Sequence, residues 1–324
     1  MTGPESGGAA GGGAAGGGAP LVAGHPMPPL LAEAADPGLV AWRDDLPGIV
    51  EELLARWSLT PSAPFRPGGS SAWVAPVREV DGSERVLKVA WAHDEARDEA
   101  AGMVAWQGRG AARVHRSERR GATAALLLDR VRPGTPLAQL LTWPERDEIV
   151  VAVARQLWVR PEELLPTSEA GQFRTLSSMC AWWADGAQER AEAGLSSLPA
   201  DVTAHGLALF RELPRQWDGE QVLLATDLHP SNVLAAGEGS ERRWVLIDPK
   251  PYVGDPHYDL LQHMFNDPER LAAEPSRFAG RMASLAGLDP ARARRWLLAR
   301  CVQESAGMEG AAQAALRLVA DGVE

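Results

Sequence analysis

Three residues between positions 221 and 260 have the side chains needed to move a phosphoryl group. In QVLLATDLHPSNVLAAGEGSERRWVLIDPKPYVGDPHYDL, Asp227 follows an apolar run, Val222 to Leu224. Asn232 follows Asp227 by five residues and opens a second run, Val233 to Ala236, and Asp248 ends a third, Trp244 to Ile247. Short apolar runs bounded by turn residues read as buried strands, and the Gly/Glu/Ser stretch makes a hairpin of the second and third. Two carboxylates and one amide are thereby brought to strand ends. An Asp can orient or deprotonate a hydroxyl, and an Asn with an Asp can hold Mg²⁺ through oxygen. Asp and Asn are also common turn formers, and any one of these residues alone could be read so. Three at this spacing, between three apolar runs, point to chemistry. His229 in the same loop braces the backbone or shuttles a proton. Lys250, two residues past Asp248, could meet a phosphate or pair with an acid.

Of 32 Lys and Arg residues only Lys88 and Lys250 are lysine. A compact ammonium in a confined space is where Arg cannot substitute, so both lysines are informative. Lys88 lies in VLKVAW, flanked by apolar residues, and is costly to bury unless it meets an anion; the phosphates of ATP, with a carboxylate behind, would serve. Upstream, Gly68-Gly69-Ser70-Ser71 precedes an alternating strand, Trp73 to Val80, and Asp81-Gly82 turns the chain into the strand carrying Lys88. Such a loop can lay backbone N–H groups over phosphates, although most Gly/Gly/Ser stretches are plain turns. The carboxylate should come from the helix in HDEARDEAAGMVAWQGRG, where Glu95 and Glu99 lie four apart on one side. Glu99, deeper in the helix, is the better placed; the alternative leaves both solvated.

The chain of 324 residues is long enough for one large domain or two lobes. No apolar run approaches the ~18 residues of a membrane helix. Cys180 and Cys301 sit in apolar helical patterns, as buried thiols in a reducing cytoplasm would. A formal charge of −11 argues against a nucleic-acid partner and is compatible with a cationic small molecule. Residues 1–20 are Gly/Ala-rich and have neither the basic nor the apolar part of a signal peptide. They and the Pro-rich stretch after them, 1–43 in all, are expected to form a disordered tail. Structure is expected to begin near Leu46, with a helix on Ile49, Leu53, Leu54 and Trp57. From Pro136 helical periodicity dominates, with helices expected near 136–142, 144–158, 170–193, 200–213, 257–265, 268–286 and 290–320. Trp182, Trp183 and Trp296 are expected in their core. In the last stretch Glu304 and Glu309 stand among apolar and small residues, where a carboxylate must face solvent or a cation. Glu304 is expected to line an acidic acceptor pocket, with Glu309 at its rim.

From about residue 46 onward the chain resembles the aminoglycoside/hydroxyurea antibiotic resistance kinases, a group that includes streptomycin 6-phosphotransferases. The likeness is carried by GGSSAWVAPVRE…VLKVAW, LLLDRVRPGTPL, DLHPSNVL and WVLIDPKPYVGDPHYDL, and the D-x-x-x-x-N spacing matches the catalytic loop of protein-kinase-like enzymes. The resemblance implies an α+β, two-lobed, protein-kinase-like fold: a small β-rich N-lobe (44–131) and a larger, mainly helical C-lobe (132–324). It implies ATP and Mg²⁺, with Asp227 as catalytic base and Asn232 and Asp248 as metal ligands. Lys88 becomes the phosphate lysine, Glu99 its ion-pair partner, and Asp129 and Val131 the hinge backbone that pairs with adenine. The acceptor would be a hydroxyl of a small, cationic molecule such as an aminoglycoside, with a sugar or amino-alcohol kinase as the alternative. One departure is Ala225-Thr226, where many relatives have His-Gly before the catalytic Asp. Thr does not take a positive φ cheaply, so a slightly different loop path is expected. A non-catalytic nucleotide-binding module and a metal-dependent phosphohydrolase using Asp227, His229 and Asp248 are the readings from other classes.

Overall fold

The structure is a computed structural model and describes residues 21–94, 97–165 and 171–324. An N-terminal hairpin, β1 (Leu21–Val22) and β2 (His25–Pro26), leads into helices α1 (Pro29–Glu33) and α2 (Pro37–Trp57). Then come β3 (Thr60–Pro61), β4 (Ala72–Arg78), β5 (Glu84–Trp91), α3 (Glu99–Trp106), β6 (Val114–Arg120) and β7 (Thr123–Asp129). These five strands form an antiparallel sheet in the order β3-β4-β5-β7-β6. Strand alternation gives this sheet two buried faces. Trp73, Ala75, Val77, Leu87, Val89, Ala125 and Leu127 pack against α2, while Leu126 and Leu128 pack with Met103 of α3 on the other face. Lys88, one residue from Leu87 and Val89, therefore points to the α3 side.

The tail expected over 1–43 does not extend over residues 21–43; residues 1–20 lie outside the described residues. Residues 21–43 form the hairpin, α1 and the start of α2, and Val22, Leu31, Leu39 and Trp42 are buried in the N-lobe core. The indole of Trp42 donates to Thr123 Oγ1 at 2.9 Å, tying α2 to the sheet. The prolines that read as coil begin helices instead: Pro29 and Pro37 occupy first-turn positions, where the missing N–H would have had no intrahelical partner.

After the crossing from the sheet, β8 (Pro133–Pro136) and a single 3₁₀ turn, Leu137–Gln139, replace the helix expected at 136–142. β8 pairs instead with the strand Val233–Ala236. Helices α4 (Trp143–Leu157), α5 (Pro161–Leu164), α6 (Leu176–Glu192) and α7 (Ala200–Glu212) follow. The strands β9 (Val222–Leu224), β10 (Val233–Ala236), β11 (Arg243–Leu246) and β12 (Tyr252–Gly254) make small sheets, β11-β10-β8 and β12-β9. The chain ends in α8 (Leu261–Phe265), α9 (Pro268–Ala273), α10 (Pro275–Ala286), α11 (Pro290–Glu304) and α12 (Glu309–Ala320). Two expected helices are each split. Pro275 starts a new helix after α9, and residues 305–308, with Gly307, separate α11 from α12. Among the described residues no helix is long and apolar enough to cross a membrane. Cys180 and Cys301 are buried and free.

The helices of the C-lobe are pinned around a carboxylate with no exposed surface, Asp147 of α4. It accepts from His263 Nε2 (2.8 Å), Arg270 Nη1 (3.0 Å) and Arg281 Nε (2.7 Å), on α8, α9 and α10. Burial works against its charge, but these partners outweigh it and hold its pKa below the usual value. Removing one member of a buried charge network leaves the others unpaired and costs about 3 kcal/mol or more. Asp147→Asn should therefore lower the unfolding free energy by about that amount in urea denaturation, whereas a loss below about 0.5 kcal/mol would mean that packing alone sets the helix positions.

Candidate active site

Lys88 is only 8% exposed and holds the centre of the cleft between the lobes. Its ammonium donates to Glu99 Oε1 at 2.6 Å and also to Asp248 Oδ1. Glu99 is the first residue of α3 and not deep within the helix as expected; Glu95 lies outside the described residues. A close approach positions α3: a Cβ on Gly102 would fall 2.3 Å from the ring of Pro251, three residues past Asp248. Arg174 strengthens the same junction by donating to Asp98 Oδ2 (2.7 Å) while its guanidinium lies 4.6 Å from the ring centroid of Tyr252. Burial would push Lys88 down, but Asp248 and Glu99 together raise its pKa. One ammonium serves two carboxylates, and the more buried one gives way. Burial, with the charge of Asp248 added, lifts Glu99 to about 7 against the pull of Lys88. Asp248 stays below the usual carboxylate range because Lys88 faces it.

The loop from Ala225 to Asn232 joins β9 to β10 and carries Asp227. Asn232 Nδ2 donates to the Asp227 carbonyl at 3.2 Å, bracing the loop across its width. His229 Nδ1 accepts from the Ser231 N–H (3.3 Å), which leaves Nε2 to carry the proton, 3.7 Å from Asp227 Oδ1. Burial pushes the His229 pKa down, so the ring braces the loop as a neutral imidazole. Thr226 adopts φ +51°, the left-handed conformation that the usual Gly would take. A β-branched residue thus sits in the left-handed region, and three contacts hold it. Thr226 Oγ1 donates to the Lys250 carbonyl, and the N–H groups of Ala225 and Thr226 donate to the two oxygens of Asp259 at 3.0 and 2.7 Å. Asp259 also accepts from the Trp158 indole (2.9 Å); burial raises its pKa to about 6 against these donors. It thus serves the catalytic loop, whereas Asp255 accepts the N–H of His257 as a cap.

A cavity of ≈ 420 Å³ opens beside Asp227. Thr226, Asp227, Lys250 and Tyr252 line one side, and Trp182, Trp183 and Arg190 of α6 face Arg300, Gln303 and Glu304 of α11. Lys250 Nζ stands 3.5 Å from Asp227 Oδ2. Glu304 is in the wall, but the wall is of mixed charge and not the acidic one expected: Glu304 pairs with Arg300 at 2.9 Å, and Arg190 and Lys250 add further cations. The Arg300 guanidinium lies 4.3 Å from the Trp183 ring centroid and 5.6 Å from that of Phe265. Glu309 begins α12, and its side chain lies outside the described residues. Trp182 is not in the core; it is 57% exposed at the cavity wall.

The Gly68–Ser71 loop connects β3 to β4. The crossing at 129–131 has an apolar lining, with Val86, Val131 and Ile247 half-buried against Leu126 and Leu128. The Asp129 N–H is taken by the Arg113 carbonyl (2.9 Å), so of its two backbone groups only the carbonyl is open to a ligand.

A small antiparallel-sheet lobe over a helical lobe, with a Lys/Glu pair above an Asp-x-x-x-x-Asn loop and an Asp at the end of the next hairpin, defines a kinase-like phosphotransferase. The model of the aminoglycoside/hydroxyurea antibiotic resistance kinase family matches residues 56–311, and the chain belongs to that family. It is 36% identical over 263 residues to the hydroxyurea phosphotransferase of Kitasatospora aureofaciens, covering 80% of this chain and 72% of that protein. It is 30% identical over 281 residues to the streptomycin 6-kinase of Streptomyces glaucescens, covering 82% and 83%. A solved structure of a choline/ethanolamine kinase family protein from Mesorhizobium loti shares the fold at a TM-score of 0.54 and 15% identity, over 83% of this chain and 93% of that one. The protein is thus a small-molecule kinase.

Two measurements check the site's energetics. In Thr226→Gly, relief of the left-handed conformation, about 1–2 kcal/mol, offsets the lost hydroxyl bond and the added chain entropy. Its unfolding free energy should therefore stay within about 1 kcal/mol of the parent. Thr226→Val keeps the strain and loses the bond, and should be the less stable of the two by about 1 kcal/mol or more. The second concerns pH. Glu99 holds its proton more tightly folded (about 7) than unfolded (4.5), so its contribution is full below 4.5 and is lost as pH rises to 7. Comparing Glu99→Gln with the parent across that window should show the parent's stability falling relative to the variant. A constant difference between the two would contradict the raised pKa.

Proposed function

We propose that the protein transfers the γ-phosphoryl group of ATP to a hydroxyl of a small polar acceptor seated in the cavity beside Asp227. The observation that carries this is the position of Asp227 on the cavity wall, with Lys250 at 3.5 Å and the Lys88–Glu99–Asp248 group in the adjoining cleft. Asp227 accepts the hydroxyl proton as the acceptor oxygen bonds to the γ-phosphorus and the bond to the bridging oxygen of ADP breaks. Lys250 offers positive charge beside the reacting oxygen, and Lys88 faces the phosphates. The N–H groups of Gly68, Gly69, Ser70 and Ser71 cover the phosphates from above. The Asp129 carbonyl and the Val131 N–H present the adenine edge with partners against the apolar lining of the crossing.

The donors at Asn232 and Asp248 suit a hard cation such as Mg²⁺, which takes one or two protein oxygens and completes its shell with water and phosphate. Asn232 has its Nδ2 engaged on the Asp227 carbonyl, so its amide oxygen is the end available, and Asp248 is held ionised with its side chain 55% exposed. Bound there, the ion would neutralise phosphate charge.

For the acceptor, the named activity of the streptomycin 6-kinase relatives supports an aminoglycoside. A guanidinium or ammonium could rest on the exposed face of Trp182 and on the Glu304 carboxylate. The mixed charge of the wall and the identity to a hydroxyurea phosphotransferase favour, as a second reading, a small neutral hydroxyl compound. ATP turnover measured against streptomycin, other aminoglycosides, hydroxyurea and simple amino alcohols separates the two. With the accepted compound, Asp227→Asn should lower kcat by about 10²–10⁴-fold with the fold intact. Lys88→Arg should also lose most activity, because the broader guanidinium does not fit between Glu99 and Asp248. Full turnover by Asp227→Asn would refute the assignment.

A further inference from the structure

The family match begins at residue 56, so the hairpin, α1 and most of α2 precede it. This N-terminal arm nevertheless reaches the Gly/Ser loop. A Cβ on Gly68, which has φ +84°, would fall 2.5 Å from Pro28 Cβ. The Pro28 ring thus occupies the space where a side chain at Gly68 would stand. Gly69 has far more room, with no atom closer than 4.0 Å to such a Cβ.

The arm itself is firmly seated. Val22, Met27 and Leu31 are buried in the same cluster as Trp73 of β4 and Leu87 and Val89 of β5, the last two flanking Lys88. At the end of α1, where helix carbonyls lack partners, one nitrogen of Arg43 donates to the carbonyls of Leu31 (3.0 Å), Ala32 (2.6 Å) and Ala34 (2.9 Å). Where α2 begins, a Cβ on Gly38 would fall 2.9 Å from the Trp91 ring at the end of β5. A continuous packed path therefore runs from the Lys88 strand through α2 and α1 to the edge of the loop.

We propose that this arm is a positioning element for nucleotide binding: Pro28, locked by Arg43 through α1, holds the Gly68 end of the loop in place. The proposal rests on the assignment of that loop to the nucleotide phosphates. A loop that must fold down on a ligand loses conformational freedom on binding, and a loop already held at one end loses less. Pro28 and Arg43 touch neither the acceptor cavity nor Asp227, so the arm should act on nucleotide affinity and leave acceptor affinity alone.

The test uses the full-length protein. Arg43→Ala releases α1 without entering the cleft, Pro28→Gly removes the contact alone, and Pro28→Val refills it. ADP affinity by calorimetry, KM for ATP and for the accepted compound, and deuterium exchange over residues 66–71 are measured for each. Arg43→Ala and Pro28→Gly should weaken ADP and raise the KM for ATP by about three- to tenfold and speed exchange in the loop. The acceptor KM should stay within about twofold, and Pro28→Val should recover most of the loss. Unchanged nucleotide affinity in both loss variants, or equal losses for ATP and acceptor, would overturn the proposal. Failure of the unsubstituted protein to bind ADP would instead remove the nucleotide assignment, and the inference with it; the parent measurement distinguishes that case.

Discussion

A single buried ammonium, shared between two carboxylates from separate parts of the chain, is the constraint around which the two lobes are assembled. Lys88 comes from the middle of the sheet, Glu99 from the first turn of α3, and Asp248 from the end of the catalytic hairpin. Neither Lys88 nor Glu99, both buried, could be desolvated alone at tolerable cost. Together the three still carry one negative charge in excess; burial, with the charge of Asp248, lifts Glu99 to about 7, while Lys88 keeps Asp248 acidic. The surrounding structure keeps this unbalanced group in place: Gly102 against Pro251 sets the depth of α3, and Arg174 ties the residue before Glu99 to the helical lobe. On the proposed mechanism, a cation beside Asp248 would relieve the excess charge when the nucleotide is present.

The loop bearing Asp227 also depends on an unfavourable local state maintained from outside. Thr226 and Asp248 both have positive φ without being glycine, a state that persists where surrounding structure over-determines it. For Thr226 the determinants are explicit: the Asp259 carboxylate beneath two successive N–H groups and the hydroxyl bond to Lys250. That last bond joins the loop bearing Asp227 to the segment bearing Lys250, so the two charges facing the cavity are set by one another's backbone. Asp259 is in turn held by Trp158 at the end of α4. The strain is therefore resisted by the helical core and not by the loop alone.

The Asp-Pro dipeptides show the limit between sequence and structure. There are five, at 36, 248, 255, 267 and 289. In four, the Asp accepts backbone N–H groups just after its Pro, starting a helix or a 3₁₀ turn. This is what an N-cap followed by Pro predicts from local chemistry alone. At Asp248 the same dipeptide does something else: its carboxylate turns to Lys88, 160 residues away in sequence. Reading it as chemical depended on its place after an apolar run and behind Asp227 and Asn232. The dipeptide itself could not reveal it.

What the sequence by itself determined was the part written in short-range patterns. Apolar runs between turn residues located the hairpins carrying Asp227, Asn232 and Asp248, and strand alternation put Lys88 on one face. Helix spacing put Glu95 and Glu99 on one side without separating them, and the motifs carried the family. What only tertiary structure decided depended on surfaces meeting across long separations. The arm at 21–43 reads as coil until the sheet supplies a face for Val22, Leu31 and Trp42. Thr226 looks incompatible with its loop until Asp259 is placed beneath it. Arg300 and Glu304 are an i,i+4 pair that helix spacing alone could have shown, but that Trp183 of α6 packs on the Arg300 guanidinium is visible only in the fold. Trp182 looks like core until the packing of α6 leaves its ring at the cavity. Local propensity and periodicity act within a few residues, whereas the partner that offsets a strained φ or a desolvated charge can come from anywhere in the chain, and only the folded packing supplies it.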